Sequence, residues 1–510
     1  MKKYILIIYS FSIVSILQAQ VPDDALRNSW FTHNGTARNM ATGGVIGSLG
    51  GDISANNVNP AGLGLFKTSE FVFTPGVGLN NNKFSFRGDE SKSKKTGFNL
   101  GATGFIWGIG RQDSRWRSSA FSISVNQLAS FNNRVSYKGT NNKSSFTEQY
   151  LEELIRDRAD TNAAESNYIF GSTLAYRTYL IDQEKDPSGK FIGFQSLVPV
   201  STGVIQENDI TTSGGYHEAS FAFANNMEDK LYLGASINFP FISYSRDTRY
   251  KETDVTTNKN NDFNYFEFTE TVNSRGIGAN VKMGFIYKPQ EYIRLGLALH
   301  SPSFISFKDN IRAAITADTE GYAGVRTVTS DALNSGNAGE RNYSMTTPLR
   351  MIGSASYVFR EVNDTRRQRG FISADLEYVN YRSSRFYAAD EEDVASTDYY
   401  KSLNTIVKDY YKDAVNVRVG GELKFHTIMV RGGAAYYGNP YKDSKNLKAN
   451  RTQASGGLGY RNHGMFLDLT YVHTFNKDVN FPYRLNDKPN TYALQTGSKG
   501  NVVATIGFKF

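Results

Sequence analysis

Arginine and carboxylate side chains recur at alternate positions along several segments, and they are the residues whose chemistry could bind a polar ligand. The six candidates are Arg294, Arg350, Asp375, Glu377, Arg418 and Glu422. Opposite charges on one face can compensate one another, which is a structural role. The functional alternative is that the guanidinium of Arg350 or Arg418 binds the carboxylate of an amphipathic ligand. The residue types leave both roles open.

The same inventory gives little support for catalysis or metal binding. The chain has no cysteine, which excludes thiol nucleophiles, disulfide frameworks and zinc ribbons. None of its six histidines is paired at metal-ligand spacing. We therefore predict no catalytic residue, no metal site and no cofactor. The net charge of +8 over 510 residues, without a dense basic cluster, gives no indication of a nucleic-acid partner.

The elements that would position these charges alternate with a period of two. Val415, Val417 and Val419 fall on one face of a segment, and Asn416 and Arg418 fall on the other. Fourteen such segments are predicted, at 69–79, 96–108, 119–131, 213–225, 230–244, 271–288, 291–305, 347–360, 369–381, 413–424, 427–437, 450–462, 464–476 and 499–510. A soluble, exported β-rich protein would show the same alternation.

Strand length and loop length favour a membrane barrel over a soluble sheet. The segments run for about 10–14 residues, which suits a tilted crossing of a bilayer. Connections after even-numbered strands are short and those after odd-numbered strands are long. The sequence thus predicts an all-β fold, a 14-stranded antiparallel transmembrane β-barrel with long extracellular loops that carry short helices. One such helix is predicted in TEQYLEELIRDRAD, where Tyr150, Leu151, Leu154 and Ile155 share a face.

The two ends of the chain indicate export and membrane insertion. Lys2 and Lys3 precede an apolar run that ends near Ala19, so residues 1–19 are predicted to be a cleaved signal peptide. Phe508 and Phe510 lie on the outward face of the last strand and are predicted to form the signal that barrel-assembly machinery reads. The expected location is the bacterial outer membrane, as an integral protein.

Residues 20–66 precede the first strand and do not resemble a strand themselves. Their last part, GGDISANNVNPAGLGLF, combines glycines with apolar side chains, so it can fold compactly. Because fourteen strands enclose a lumen too wide for side chains to fill, something must close it. We predict that residues 20–66 form a hatch inside the barrel and that residues 67–510 form the barrel itself.

The segment GTARNMATGGVIGSLGGDISANNVNPAGLGLF resembles the N-terminal hatch of the FadL family of outer-membrane transporters. The shared motif consists of Gly51 and Asp52 together with the triplet Asn59, Pro60 and Ala61. The hairpins GIGANVKMGFIYKPQEYIRLGLALHSPSFISFKD, TPLRMIGSASYVF and RVGGELKFHTIMVRGGAAYYGNPY resemble the barrel of that family. The resemblance is to its Bacteroidota branch and departs most between residues 132 and 212.

The resemblance implies passive uptake of small hydrophobic or amphipathic compounds, fatty-acid-like or aromatic. In this family a hatch gates diffusion, and the ligand leaves sideways at an inward kink in the third strand. Asn126 and Gln127, which interrupt the apolar face of that strand, could mark the kink or could be ordinary lumen-facing residues. The implied partners are a hydrophobic ligand, outer-membrane lipid, lipopolysaccharide and the barrel-assembly machinery. The alternative is a structural or adaptor barrel that binds other envelope proteins in a secretion or assembly machine.

Overall fold

The computed structural model describes residues 23–256, 258–359, 369–442 and 449–510. The predicted signal peptide at residues 1–19 lies outside the described residues. What is described consists mainly of long antiparallel strands.

Each predicted segment contains a strand of the main sheet, and several strands extend well beyond the predicted ends. In chain order they are β1 (Glu70–Phe73), β2 (Pro75–Phe86), β3 (Asp89–Leu100), β4 (Thr103–Gly110), β5 (Trp116–Ser130), β6 (Asn133–Asn141), β9 (Val204–Met227), β10 (Leu231–Asp254), β11 (Tyr265–Gln290), β12 (Ile293–His300), β13 (Phe304–Asp318), β14 (Val325–Thr329), β15 (Gly339–Thr346), β16 (Arg350–Phe359), β17 (Gly370–Asn380), β18 (Arg385–Ala388), β19 (Asp413–Phe425), β20 (Ile428–Tyr437), β21 (Arg451–Asn462), β22 (Met465–Asn480) and β23 (Ala493–Lys509). A separate hairpin consists of β7 (Ile181–Lys185) and β8 (Phe191–Ser196).

These strands occupy fourteen positions around a closed barrel. Several positions hold consecutive strands separated by a break: β1 and β2, β3 and β4, β5 and β6, β12 and β13, β14 to β16, and β17 and β18. The barrel closes where β23 pairs with β1 and β2, for example Phe508 opposite Phe71. The predicted antiparallel barrel of fourteen strands is therefore confirmed.

The faces of the strands alternate as the sequence predicts. Leu376 and Leu469 point outward and are 56% and 55% exposed, whereas Asp375 and Asp468 beside them are buried inside. Outward apolar residues recur on every side of the barrel, and this belt has no counterpart on a soluble protein. The barrel is thus an integral outer-membrane protein whose lumen carries the polar groups.

The described helices are short and lie in the N-terminal segment or in the loops. They are α1 (Asp23–Arg27), α2 (Ala37–Ala41), α3 (Ala55–Val58), α4 (Glu148–Arg156), α5 (Thr161–Ser166), α6 (Ser172–Arg177), α7 (Ser330–Leu333) and α8 (Val394–Tyr410), with a 3-10 helix at Pro60–Leu65. Across the described part of the chain, no helix has both the length and the apolar character needed to cross a membrane.

Two details differ from the sequence-based expectation. The first outer connection is a tight turn at Arg87 and Gly88, which have φ of 51° and 94°, because β2 and β3 continue far past the predicted strand ends.

Helix α4 exists, but Ile155 is 67% exposed while Tyr150 and Leu154 are buried. The apolar face of α4 is narrower than the pattern predicts, because the helix packs on the loop cluster along one edge.

The largest external loop, residues 142–203, is fixed to the barrel by a buried carboxylate. Glu252 on β10 accepts hydrogen bonds from the Ser145 hydroxyl at 2.5 Å and from the Phe146 amide at 2.9 Å. The Phe146 ring stacks on Tyr250, with ring centroids 4.5 Å apart. The loop is thus a packed cap over one side of the barrel mouth.

Candidate functional site

The N-terminal segment fills the lumen and is organised around Asn59. The Asn59 side chain accepts a hydrogen bond from the Ala61 amide at 3.1 Å, which caps the 3-10 helix that begins at Pro60. Its amide group donates to the carbonyl of Gly47 at 2.5 Å and to that of Phe285 on β11 at 3.2 Å. One side chain therefore joins two parts of the hatch and attaches both to the wall.

Gly51 and Asp52, two residues of the hatch motif, lie in a turn of the segment. Gly51 has φ of 68°, a conformation that favours glycine, and its amide donates to the Gly62 carbonyl at 3.1 Å. The Asp52 carboxylate accepts from the Ser54 amide at 2.9 Å and from the Thr36 hydroxyl at 2.7 Å. These bonds fold the segment back on itself, so the hatch is a compact body.

Several of the predicted charged residues hold the hatch in place. Asp375 on β17 accepts hydrogen bonds from the backbone amides of Ile46 and Gly47, each at 3.2 Å. Arg294 on β12 donates to the Leu49 carbonyl at 2.8 Å. These wall side chains satisfy hatch backbone groups that have no partner in a helix or sheet.

Glu422 belongs to a second contact between hatch and wall. It accepts from Arg38 of the hatch at 3.3 Å and from Arg431 on β20 at 2.5 Å. Arg431 also pairs with Asp468 on β22 at 2.5 Å, and both of these side chains are fully buried. Buried charges that compensate one another in this way fix the hatch against β19, β20 and β22.

The remaining predicted charges line a cavity between the hatch and the wall. Glu377 lies 3.2 Å from both Arg350 and Arg418, and Arg350 also donates to the Ser29 carbonyl. Asp375 lies 3.7 Å from Arg418. The two arginines therefore already have carboxylate partners in the protein, which argues against a role as receptors for a ligand carboxylate.

The same cavity contains a charge pair that the sequence does not reveal. Lys282 on β11 forms a buried ion pair with Glu218 on β9. The alternating pattern places Lys282 inside the barrel, but its partner comes from a strand two positions away. With Asp375 behind Arg418, the positive and negative charges around the cavity balance.

The wall is interrupted between the second and third barrel positions. The ladder between β4 and β5 runs from Gly110 opposite Ser118 to Thr103 opposite Val125 and stops there. Beyond that point the described pairings join β3 to β2 and β6 to β9, with none between β3 and β6. One edge of β3, about twelve residues long, is therefore free of ladder hydrogen bonds.

The interruption begins at the predicted kink residues. Asn126 and Gln127 are both buried, and the register of β5 against β9 shifts directly after them, leaving Leu128 without a partner. Two consecutive inward side chains followed by an extra residue are a β-bulge, which bends a strand. The bend turns the third barrel strand inward from this point.

A hatch residue bridges the two strands where the ladder ends. The Asn34 amide group donates to the carbonyl of Gln127 at 2.7 Å and to that of Leu100 at the end of β3 at 3.3 Å. Asn126 in turn donates to the Asn34 carbonyl at 2.9 Å. Nothing in the sequence marks Asn34, since the contact joins three segments that are far apart in the chain.

Side chains of the β2–β3 hairpin take the place of the missing ladder. Asn82 and Ser93 donate to the carbonyl of Arg134 on β6 at 3.0 and 2.6 Å, and Ser91 donates to that of Ser136 at 2.9 Å. Because inward-pointing side chains make these bonds, β6 lies inside the hairpin. The third strand has left the plane of the wall.

Two cavities adjoin this break and share a short stretch of the hatch. One, of about 120 Å³, is lined by Gly78 and Gly97 of the broken wall and by Leu128. The other, of about 90 Å³, is the cavity of the balanced charges. Thr32, His33 and Asn34 line both cavities. This hatch stretch therefore separates the inner cavity from the one beside the wall break.

The terminal aromatic residues lie at the opposite end of the wall. Phe508 and Phe510 are 46% and 68% exposed. The backbone of Phe510 exchanges hydrogen bonds with Ser69 at 3.0 and 3.1 Å, and its ring lies 5.5 Å from that of Phe105. Both side chains are thus on the outer surface at the seam where the barrel closes.

A closed barrel of fourteen strands with an internal N-terminal hatch and a bent third strand defines a class of outer-membrane protein. The fold is similar to the crystal structure of a Pseudomonas aeruginosa FadL homologue, with a TM-score of 0.54 and 13% identity, over 94% of this chain and 99% of that chain. The toluene transporter TodX of P. putida matches with a TM-score of 0.52 and 13% identity, over the same shares of the two chains. No known family profile and no curated sequence matches the chain. The chain therefore has the FadL-type fold.

Proposed function

We propose that the protein takes up small hydrophobic or amphipathic compounds across the outer membrane and releases them sideways through the wall. The observation that carries this proposal is the break between β3 and β6, with a cavity directly behind it. A compound that leaves through a wall break enters the apolar part of the bilayer without crossing water. The structural neighbour TodX is named a toluene transporter, which agrees with a small hydrophobic compound as the substrate.

The size and charge of the inner cavities favour a small, uncharged compound. An apolar cavity of about 150 Å³ holds one benzene molecule, and these cavities measure about 120 and 90 Å³. Arg350 and Arg418 are paired with Glu377, so a ligand carboxylate would have to displace that residue. An aromatic or neutral amphipathic ligand meets no such competition.

Asn34 lies where it would hold the proposed route closed. It belongs to the hatch stretch between the two cavities, and it bridges Leu100 and Gln127 where the ladder ends. All of its contacts are neutral hydrogen bonds, which are weaker than charge-assisted ones. A shift of residues 31–34 would join the cavities and free the end of the break in one movement.

The wider setting follows from the same proposal. We propose that the chain is exported with residues 1–19 as a cleaved signal peptide. The barrel-assembly machinery would then insert it by recognising Phe508 and Phe510. Its outward belt would lie in lipid, with lipopolysaccharide around the outer rim. Residues 20–66 and 67–510 would act as hatch and barrel.

Native mass spectrometry of the protein extracted from its own membrane, combined with organic extraction of the purified sample, tests the proposal. We expect a lone barrel that releases a small hydrophobic compound. A stoichiometric set of envelope proteins without any compound would instead support the adaptor alternative.

Transport itself is measured by the uptake of a radiolabelled monoaromatic hydrocarbon into cells that express the protein. Cells with the Leu128→Pro variant, which places a proline at the extra residue of the bulge and so changes the bend, serve as the comparison. Uptake that does not exceed that of cells without the protein would contradict the proposal.

A further inference from the structure

The outer end of the β2–β3 hairpin carries three lysines on its outward face. Lys83 lies directly opposite Lys92 in the ladder, and Lys94 follows on the same face of β3. All three side chains are exposed. Like charges directly opposite each other in an antiparallel pair are unfavourable. The arrangement therefore favours a negative partner, and Glu90, one ladder step further out on the same face, forms no ion pair with these lysines.

No carboxylate of the described chain supplies that partner, because none forms an ion pair with these three lysines. Two exposed basic residues on other strands, by contrast, have a carboxylate partner. Arg249 binds Glu267 at 2.5 Å, and Lys308 binds Glu340 at 2.8 Å. The hairpin is thus a basic patch whose charge is left for another molecule.

The position of the patch along the barrel axis indicates which layer of the membrane surrounds it. Phe71, at the inner end of the same wall, lies ten residues before Asn81, which is opposite Lys94. At about 3.3 Å per residue and a tilt of about 40°, that is roughly 25 Å along the barrel axis, the thickness of the apolar band. Lys83 and Lys92 lie one step further out.

The residues just below the patch are apolar and face the lipid. Leu79 is 40% exposed and Phe98 is 63% exposed, and both point the same way as the lysines. A ligand that fits both levels has acyl chains below and phosphate groups above. In the outer leaflet the molecule with this chemistry is the phosphorylated glycolipid at the base of lipopolysaccharide.

We propose that Lys83, Lys92 and Lys94 bind the phosphate groups of lipid A. An ammonium group binds phosphate as a point charge, and three of them within two ladder steps suit a doubly phosphorylated headgroup. Because the patch lies on β3, whose other edge borders the wall break, a bound lipid A would stand beside the proposed exit. The proposal rests on the outer-membrane location within the proposed function and does not depend on transport.

The test is titration of the full chain in detergent micelles with bisphosphorylated lipid A and with its dephosphorylated counterpart, followed by native mass spectrometry. About three lysine charges correspond to roughly a 100-fold preference for the phosphorylated lipid. The triple variant K83Q/K92Q/K94Q should lose most of it. The matched control K185Q/K190Q/K259Q removes the same charge from exposed positions on the separate β7–β8 hairpin and in the β10–β11 connection, and it should keep the preference.

Equal binding of the two lipids by the unaltered protein, or an equal loss in both triple variants, would overturn the proposal. Competition by inorganic phosphate at the concentration at which lipid A binds would also overturn it, since the site would then not require a lipid. Heat-dependent gel migration establishes that each variant is a folded barrel. Hydrocarbon uptake is measured separately on the same variants, so a failure of transport and a failure of lipid binding give different results.

Discussion

The hatch is attached to the barrel in two different ways on its two sides. Against β19, β20 and β22 the attachment is a chain of charges that runs from Arg38 through Glu422 and Arg431 to Asp468. Against the wall break it consists of neutral amides, with Asn34 bridging Leu100 and Gln127. Charge-assisted hydrogen bonds are about twice as strong as neutral ones. The side that would move in the proposed exit route is therefore the more weakly attached side.

The largest effect is expected on the charged side, from Asp468→Ala. The substitution leaves Arg431 with half of its compensation in a site where both side chains are fully buried. Breaking a buried pair costs about 3–5 kcal/mol of unfolding free energy. Urea unfolding in micelles, followed by tryptophan fluorescence, measures this loss. The control Asp398→Ala breaks an exposed pair with Lys401 and should cost less than about 1 kcal/mol. Similar losses in the two variants would mean that the charged chain does not fix the hatch.

The next effect concerns the fit between hatch and wall, tested with Gly296→Val. Gly296 on β12 is in contact with the Gly47 backbone, where any side chain would overlap the hatch. We expect a loss of about 1–3 kcal/mol from overpacking and leakage of a hydrophilic dye through the displaced hatch. Gly353→Val is the matched control, since nothing lies near a side chain at that position. A dye-tight Gly296→Val barrel would show that the hatch tolerates displacement on this side.

A smaller effect on stability and a larger one on transport are expected from Asn34→Ala. The change removes two neutral hydrogen bonds, with a loss of about 1–2 kcal/mol in unfolding free energy. Hydrocarbon uptake should rise a few-fold, because the end of the wall break is no longer bridged. Asn162→Ala, at an exposed position of α5, should change neither quantity. Lower uptake in Asn34→Ala would assign the residue to ligand binding instead of closure.

The smallest effect on stability is expected in the external cap, residues 142–203, which takes no part in either attachment of the hatch to the wall. Burial raises the pKa of Glu153 on α4 above its ordinary value of 4.5, although Ser172 donates a hydrogen bond to it. Because the pKa of Glu153 is higher in the folded cap than in the unfolded chain, protonation of this carboxyl stabilises the cap. That stabilisation is fully present below pH 4.5 and is lost as the pH rises through the raised pKa. Limited proteolysis of residues 142–203 should therefore be slower at pH 4 than at pH 7. Glu153→Gln should remove most of that difference, and an unchanged pH dependence would contradict the assignment.

The barrel could be predicted from sequence because its signal is local. Alternation at Val415–Val419 assigns a face to each residue without any knowledge of its partners, and the length of the strands selects a membrane barrel. The hatch motif, from Gly51 and Asp52 to the triplet Asn59, Pro60 and Ala61, is likewise recognised within one continuous segment. Each of these predictions depends on neighbours in the chain.

The functional details could not be predicted because they join distant segments. The same alternation puts Arg350 and Arg418 inside the barrel, but whether they bind a ligand or Glu377 depends on how the strands are placed around the lumen. Asn34 is one asparagine among many in the sequence, and only the meeting of β3, β5 and the hatch gives it a role. The outer halves of β2 and β3 could not be predicted, because both of their faces are polar and the sequence there shows no alternation of apolar and polar residues.

The bare inner faces of the wall have a consequence for biogenesis. Gly296 on β12 and Gly420 on β19 are in contact with hatch backbone, where a side chain would overlap it. The inner surfaces of these strands are therefore complementary to the hatch. The hatch precedes every described strand, so in the proposed export route it would reach the periplasm first. It can therefore serve as a template on which successive hairpins assemble, until β23 meets β1 and closes the ring around it.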